Sequence, residues 1–312
     1  MWNVNSKTKN EKYPMTRFAP YHFNYKVYKS DDARIPILQV QHALALYNEY
    51  LMHRSKKLKI LFLNCTDSLV DRLVLRGDFS VWPYYYVFSR AQMYGCKIPW
   101  VSALAQGQGI SVLVRAYSLT QNEKYLLAAR HSLGAFKVPM KDGGVLSVDD
   151  DNDWWYEEYA CAKSKPSGVL NGFIFALLGI YDFHLMMGDK VSKQLFEEGI
   201  STLRNHLRDF DTNCPYKLTY YDRQKHIVAF PYHLLHIKLV KILHDITGKE
   251  IFKIYQKKWE RYKREWLTHR MYRWLSKFYY VRSGHNFGDS AKLLLRLAFE
   301  RKPVFLEFGL QR

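Results

Sequence analysis

With 312 residues, 48% of them hydrophobic, the chain is too apolar to be disordered and long enough for one large domain or two ordinary ones. A formal charge of +18 points to an anionic partner, and nucleic acid, acidic polysaccharide and anionic membrane all fit its sign. The four cysteines, Cys65, Cys96, Cys161 and Cys214, include no CxxC pair, which argues against a zinc ribbon or dithiol redox motif and reads as reduced thiols.

Residues 1–34 are polar and aromatic, with Pro14 and Pro20, and read as an extended arm lying over the domain. No apolar run there makes a signal peptide, so a cytoplasmic protein is expected. From residue 35 the pattern turns helical: Ile37, Val40, Leu44, Tyr47 and Leu51 recur at steps of three and four. A second helix follows over 58–75. Residues 77–99, rich in Tyr with Pro83 and Pro99, read as strands or a hairpin. Helices are predicted over 102–119 and 123–136, then a Gly- and Asp-rich loop, then helices over 167–187 and 190–208. The most apolar stretch, 169–187, is interrupted by Asn171, Asp182 and His184, which favours a buried helix over a membrane span. Residues 211–231 are again hairpin-like, and a last pair of helices covers 232–247 and 250–264.

The first helices of these pairs begin near 35, 102, 167 and 232, a spacing of about 65 residues. Four helix–helix–loop units predict an all-α fold, and of the two ways to stack them, an open solenoid or a ring, an incomplete α/α toroid is expected. The aromatic loops 77–99, 137–166 and 211–231 each follow the second helix of a pair and should collect at one end. The expected organisation is an arm (1–34), a toroid domain (35–265) and a basic helical tail (266–312).

The richest chemistry lies in 153–172, DWWYEEYACAKSKPSGVLNG, where Trp and Tyr flank adjacent carboxylates. Aromatic faces beside ionisable groups suit a sugar ring. Glu157 and Glu158 cannot face the same way, so one should enter the cleft and the other point outward, unless both belong to a solvated loop capping the next helix. His233 and His236, three apart, have a spacing that could seat a metal, but no third ligand accompanies them; substrate hydrogen bonding or helix packing explains them as well. The acidic run 149–153 lacks the Gly and terminal Glu of an EF-hand and reads as a solvated turn. Gln106-Gly107-Gln108-Gly109 lacks the strand and the Lys-Ser/Thr of a phosphate loop; its glycines permit close approach to a neighbour or a ligand. Residues 257–312 hold 14 Lys and Arg against 5 Asp and Glu, interleaved with aromatics, as a nucleic-acid or membrane surface or a closing helix would.

Four segments, AQGQGISVLVRAYSLT (105–120), DWWYEEYACAKSKPSGVLNGF (153–173), TYYD (219–222) and YHLLHI (232–237), resemble in order and spacing the C-terminal domain of the D-glucuronyl C5-epimerases, over about residues 80–265. The resemblance implies an α-helical toroid that inverts C5 of glucuronate units in a polymer, giving iduronate without a cofactor or bound metal. It places the catalytic set on Glu158, Tyr159, Tyr221 and Tyr232. Trp155, Gln106, Gln108, Arg115, Asn171, Arg223, Lys225, His233 and His236 are the expected substrate-binding residues. The family motif YDLRH has an Arg where this chain has Gln224, so Arg223 or Lys225 must supply that charge, or the substrate differs. Animal members carry a membrane anchor and β-rich domains ahead of the toroid, and the expectation here is a compact microbial version acting on a capsule-like or lipid-linked glycan. Expected partners are an anionic polysaccharide and no specific nucleic acid; a peripheral membrane contact through the basic C-terminus and a homodimer stay open. Two rival readings share these features: a polysaccharide lyase, which expels the C4 substituent from the same carbanion, and a non-catalytic binder of acidic glycans.

Overall fold

A computed structural model describes residues 35–162, 165–213 and 218–281, with side chains except at 269 and 271–281. The expected arm, Cys214 and the tail beyond 281 lie outside them. The chain divides into Met1–Lys263 and Arg264–Arg312, and the candidate site lies in the first unit.

In chain order the elements are α1 (Pro36–His53), α2 (Lys56–Asp71), β1 (Val74–Arg76), β2 (Phe79–Val81), the short α3 (Ser89–Met93), α4 (Ala103–Thr120), α5 (Glu123–Gly134), β3 (Leu146–Val148), β4 (Trp154–Tyr156), α6 (Leu170–Met187), α7 (Lys190–His206), α8 (Phe230–Thr247) and α9 (Glu250–Val281). The fold is all-α with two small hairpins, built from four helical hairpins as the periodicity predicts. The tight turns inside all four hairpins close identically. Arg54, Gln121, Gly188 and Gly248 adopt left-handed backbone and donate their N–H to the carbonyls of Tyr50, Tyr117, His184 and His244. Asn122 and Asp189 then cap α5 and α7 by accepting from Lys124 N and Ser192 N.

The first helices of the pairs form the inner row: α4 packs between α1 and α6, and α6 in turn meets α8, while α2, α5 and α7 back their partners. The arc that results is the incomplete toroid. Sandwiched positions explain why α4 and α6 are apolar around most of their circumference. Although α6 is long and apolar enough to cross a membrane, 67% of it is buried inside the fold. The α4–α6 contact is unusually close. A Cβ at Gly107 would lie 2.5 Å from the Ala176 Cα, and one at Gly179 would overlap the Gly107 carbonyl. Further along both helices Arg115 pairs with Asp182 at 2.7 Å, so the two run parallel.

The parallel inner row places all the interhairpin loops at one end. The expected strand character of 77–99 is confined to β1–β2, since Pro83 lacks the N–H to extend a ladder; a bridge between Tyr84 and Trp100 and the turn of α3 complete the loop. In 211–231 the expected hairpin is represented, among the described residues, by one bridge, Tyr220 to Ile227. Here the buried Asp222 organises the turn by accepting from the His226 backbone N–H at 3.1 Å. The reduced-thiol reading is corrected for two cysteines: Cys96 and Cys161 form a disulfide across 65 residues of sequence. No local spacing announces this pair. The backbone bridge of Val101 to Ala160 brings their loops together.

Candidate active site

β3 and β4 pair in antiparallel register, Ser147 opposite Trp155, and this hairpin delivers 157–159 to the loop end. The Glu157 backbone is fixed twice, donating to Val145 O and accepting from Ala103 N at the start of α4. Its carboxylate is not turned to solvent as expected. Buried, it accepts from Ser147 Oγ (2.6 Å), Ser167 N (2.8 Å), Ser167 Oγ (2.7 Å) and Gly168 N (2.9 Å). Four donors satisfy it completely, and they tie β3, β4 and the approach to α6 into one frame.

Glu158 is buried instead against the hydroxyls of Tyr159 and Tyr221. Its Oε1 accepts from the Tyr221 hydroxyl at 3.3 Å, while Oε2 is buried without a hydrogen-bond partner against Gly172, in the first turn of α6. Burial pushes its pKa up to about 7, against the opposing pull of the Tyr159 and Tyr221 hydroxyls and the charge of Arg90. Tyr159 stacks on Tyr94 (centroids 4.7 Å apart) and on Trp100 (5.7 Å), and its hydroxyl meets that of Tyr221 at 3.3 Å. The Tyr232 ring stands edge-on to Tyr221 at 5.7 Å and is 45% exposed, the open member of the group. Burial raises the pKa of all three phenols, with the Glu158 charge adding to it. They remain protonated at neutral pH.

Tyr221 is held from behind. Its carbonyl accepts from Leu170 N, and Thr219 N donates to His233 Nδ1 at 3.2 Å. The Thr219 hydroxyl meets His236 Nδ1 at 2.8 Å, and His233 Nε2 faces the Trp259 carbonyl at 3.0 Å. Burial lowers His233 to about 4 and His236 to about 3, so both rings are neutral buttresses of the TYYD segment. The structure therefore brings Glu158, Tyr159, Tyr221 and Tyr232 together and keeps His233 and His236 behind them.

The other expected residues lie elsewhere. Gln106, fully buried, donates to Ser80 O (2.6 Å) and Ser132 O (3.1 Å). Arg115 is sealed against Asp182 and Ser111 between helices. Gln108 and Asn171 are buried on α4 and α6, each with a carbonyl oxygen lacking a partner. Trp155 is packed against Phe173 and His206, with its indole N–H on Asp149. Arg223 lies over the Trp155 ring at 4.7 Å and binds Asp149 at 2.9 Å, and Lys225 is exposed in the turn. Among the described residues, Asp149, Asp153 and His206 could hold a metal, their ligand atoms lying within 4.8 Å of one another. Protons already fill that space: Asp149 accepts from Trp155 and Arg223, and His206 Nε2 meets Asp153 at 2.9 Å. The ends of the acidic run, Asp149 and Asp153, thus belong to a charge network, while 150–152 form the exposed turn expected.

Four site residues escaped sequence reasoning. Tyr94 and Trp100 sandwich Tyr159; Asp222 accepts the Tyr94 hydroxyl; Arg90 lies over the Tyr221 ring at 4.9 Å. Arg90 and Tyr94 come from the first aromatic loop, and Trp100 directly follows it; the loop's composition marked it without distinguishing its members.

Helical hairpins in an arc, with a buried carboxylate and three phenols gathered by the loops at one end, define an all-α chain of the incomplete α/α-toroid class. The family model for the D-glucuronyl C5-epimerase C-terminus matches residues 76–261, and the chain belongs to that family. It is 34% identical over 182 residues to a D-glucuronyl C5-epimerase of Caenorhabditis elegans, covering 52% of this chain and 29% of that protein. An uncharacterised protein of Methanocaldococcus jannaschii is 35% identical over 184 residues, 58% of this chain and 57% of the other. The chain thus matches little more than half, or less, of the length of these relatives. A solved structure of UGL with dGlcA-Glc-Rha-Glc aligns with a TM-score of 0.44 and 13% identity, over 72% of this chain and 59% of that one.

Proposed function

We propose that the chain inverts C5 of glucuronate units in an anionic glycan of the heparosan type, through Glu158, Tyr159, Tyr221 and Tyr232. The observation that carries this reading is the contact of Glu158, poised near neutrality, with the Tyr221 hydroxyl beside the exposed Tyr232. A base must take the proton α to the uronate carboxylate, and a carboxylate titrating near 7 is about half ionised at neutral pH. The C–H electron pair then flows into the substrate carboxylate as an enediolate. Reprotonation needs an acid on the other ring face, and a phenol kept protonated by its surroundings fits that part. Tyr94, Trp100 and Tyr159 stack on one another and are buried, which fixes the Tyr159 phenol, and the exposed Tyr232 is the ring open to the sugar.

The test is deuterium incorporation at C5 when heparosan is incubated with the protein in heavy water. Exchange accompanied by iduronate, and reduced about 100-fold or more in Tyr221→Phe and Tyr232→Phe, is the expected result. An unsaturated, ultraviolet-absorbing product would instead mark a lyase, and binding with no exchange a glycan-binding protein.

A further inference from the structure

A base and three phenols do not account for the carboxylate that distinguishes a uronate from a neutral sugar. Of the cations that the motifs offered, Arg223 is bound to Asp149 and Trp155 and Arg115 is sealed with Asp182, while Lys225, exposed in its turn, lies over no ring of the cluster among the described residues. Arg90 is different. It is exposed, forms no ion pair among the described residues, and lays its guanidinium 4.9 Å over the ring of Tyr221, whose hydroxyl reaches Glu158.

We infer that Arg90 is the residue that receives the substrate carboxylate, and so selects uronate over neutral sugar. The inference rests on the epimerase reading above. The placement is well supported mechanically, since Ala91 beside it is fully buried and accepts from Cys96 N at 3.1 Å, while Cys96 is bonded to Cys161. Tyr94, one turn on, donates to Asp222. A short helix that would otherwise be free on the surface is thereby tied to the loops carrying Tyr159 and Tyr221. The charge is felt across the site: it counteracts the burial that raises Glu158, Tyr94 and Tyr232.

The chemistry asks for a cation there. When the C5 proton moves to the base, its electron pair enters the carboxylate, whose oxygens then share a second negative charge. When the opposite face is protonated, the pair returns to C5. Arg90 exchanges no proton; a planar guanidinium holding both oxygens gains most at the point of greatest charge.

The experiment compares wild type, Arg90→Gln and Arg90→Lys for C5 deuterium exchange on heparosan, hyaluronan and chondroitin backbones, alongside binding to each polymer before and after chemical reduction of its carboxylates. For Arg90→Gln, a loss of about 100-fold in kcat is expected, partly restored in Arg90→Lys. Wild type should prefer the native polymer, and Arg90→Gln should bind native and reduced polymer alike. If wild type exchanges and Arg90→Gln matches it, the inference falls while the epimerase reading stands. It falls equally if Arg90→Gln weakens binding to both polymers to the same degree, the mark of a structural role. Absence of exchange by wild type on all three backbones overturns the epimerase reading, and this inference with it.

Discussion

Glu158 is where burial and chemistry meet most directly. Its pKa stands at about 7 instead of the ordinary 4.5, so the folded chain holds this proton more tightly than the unfolded one. The stability it contributes is full below the unfolded value and is lost as pH rises through about 7, a difference of about 3 kcal/mol at most. Glu158→Gln should therefore melt higher than wild type above pH 7.5 and close to it near pH 4, in thermal scans across that range. Exchange activity should move the other way: in wild type, kcat/KM rises with pH through about 7, and Glu158→Gln abolishes both the activity and that limb. The neighbouring carboxylate shows why local sequence could not separate the pair. Glu157 and Glu158 are chemically equal, and only the donors at Ser147, Ser167 and Gly168 make one of them structural.

For the helices, the decisive contact is α4 against α6. Gly107 and Gly179 let the two backbones touch, and this, rather than ligand approach, is what the glycine of AQGQG at 107 does. Gly109 instead faces the indole of Trp82. Gly107→Ala should destabilise the chain by about 3 kcal/mol, read from urea denaturation, because the clash is with backbone that has no rotamer to change. Helix positions were legible because apolar periodicity and capping residues are local signals, and among the described residues they hold for seven of the eight long helices to within a few residues. α9 is the exception, running to Val281, well past 264. The loop structure was not legible, since Pro83 and the side chain of Asp222 replace ladder pairing by individual bridges.

Across the whole molecule, the Cys96–Cys161 disulfide joins the loop carrying Arg90 and Tyr94 to the one carrying Glu158 and Tyr159. Thiol titration in denaturant should give two fewer groups before reduction than after it. Cys96→Ser should cost about 4 kcal/mol by denaturant unfolding, the scale set by closing a 65-residue loop.

The sequence by itself determined the helical hairpins, their repeat and the family, and it singled out Glu158, Tyr159, Tyr221 and Tyr232, which the fold brings together, because each is carried by a contiguous run of a few residues. Only the tertiary structure decided which polar groups belong to the site. Gln106, Arg115, His233 and His236 share motifs with the cluster but are sealed in the frame, while Arg90, Tyr94 and Trp100 join it without any motif. The physical reason is that burial and partnership are properties of packing between distant segments, and an amide, imidazole or guanidinium serves as scaffold or as site according to what fills the space beside it.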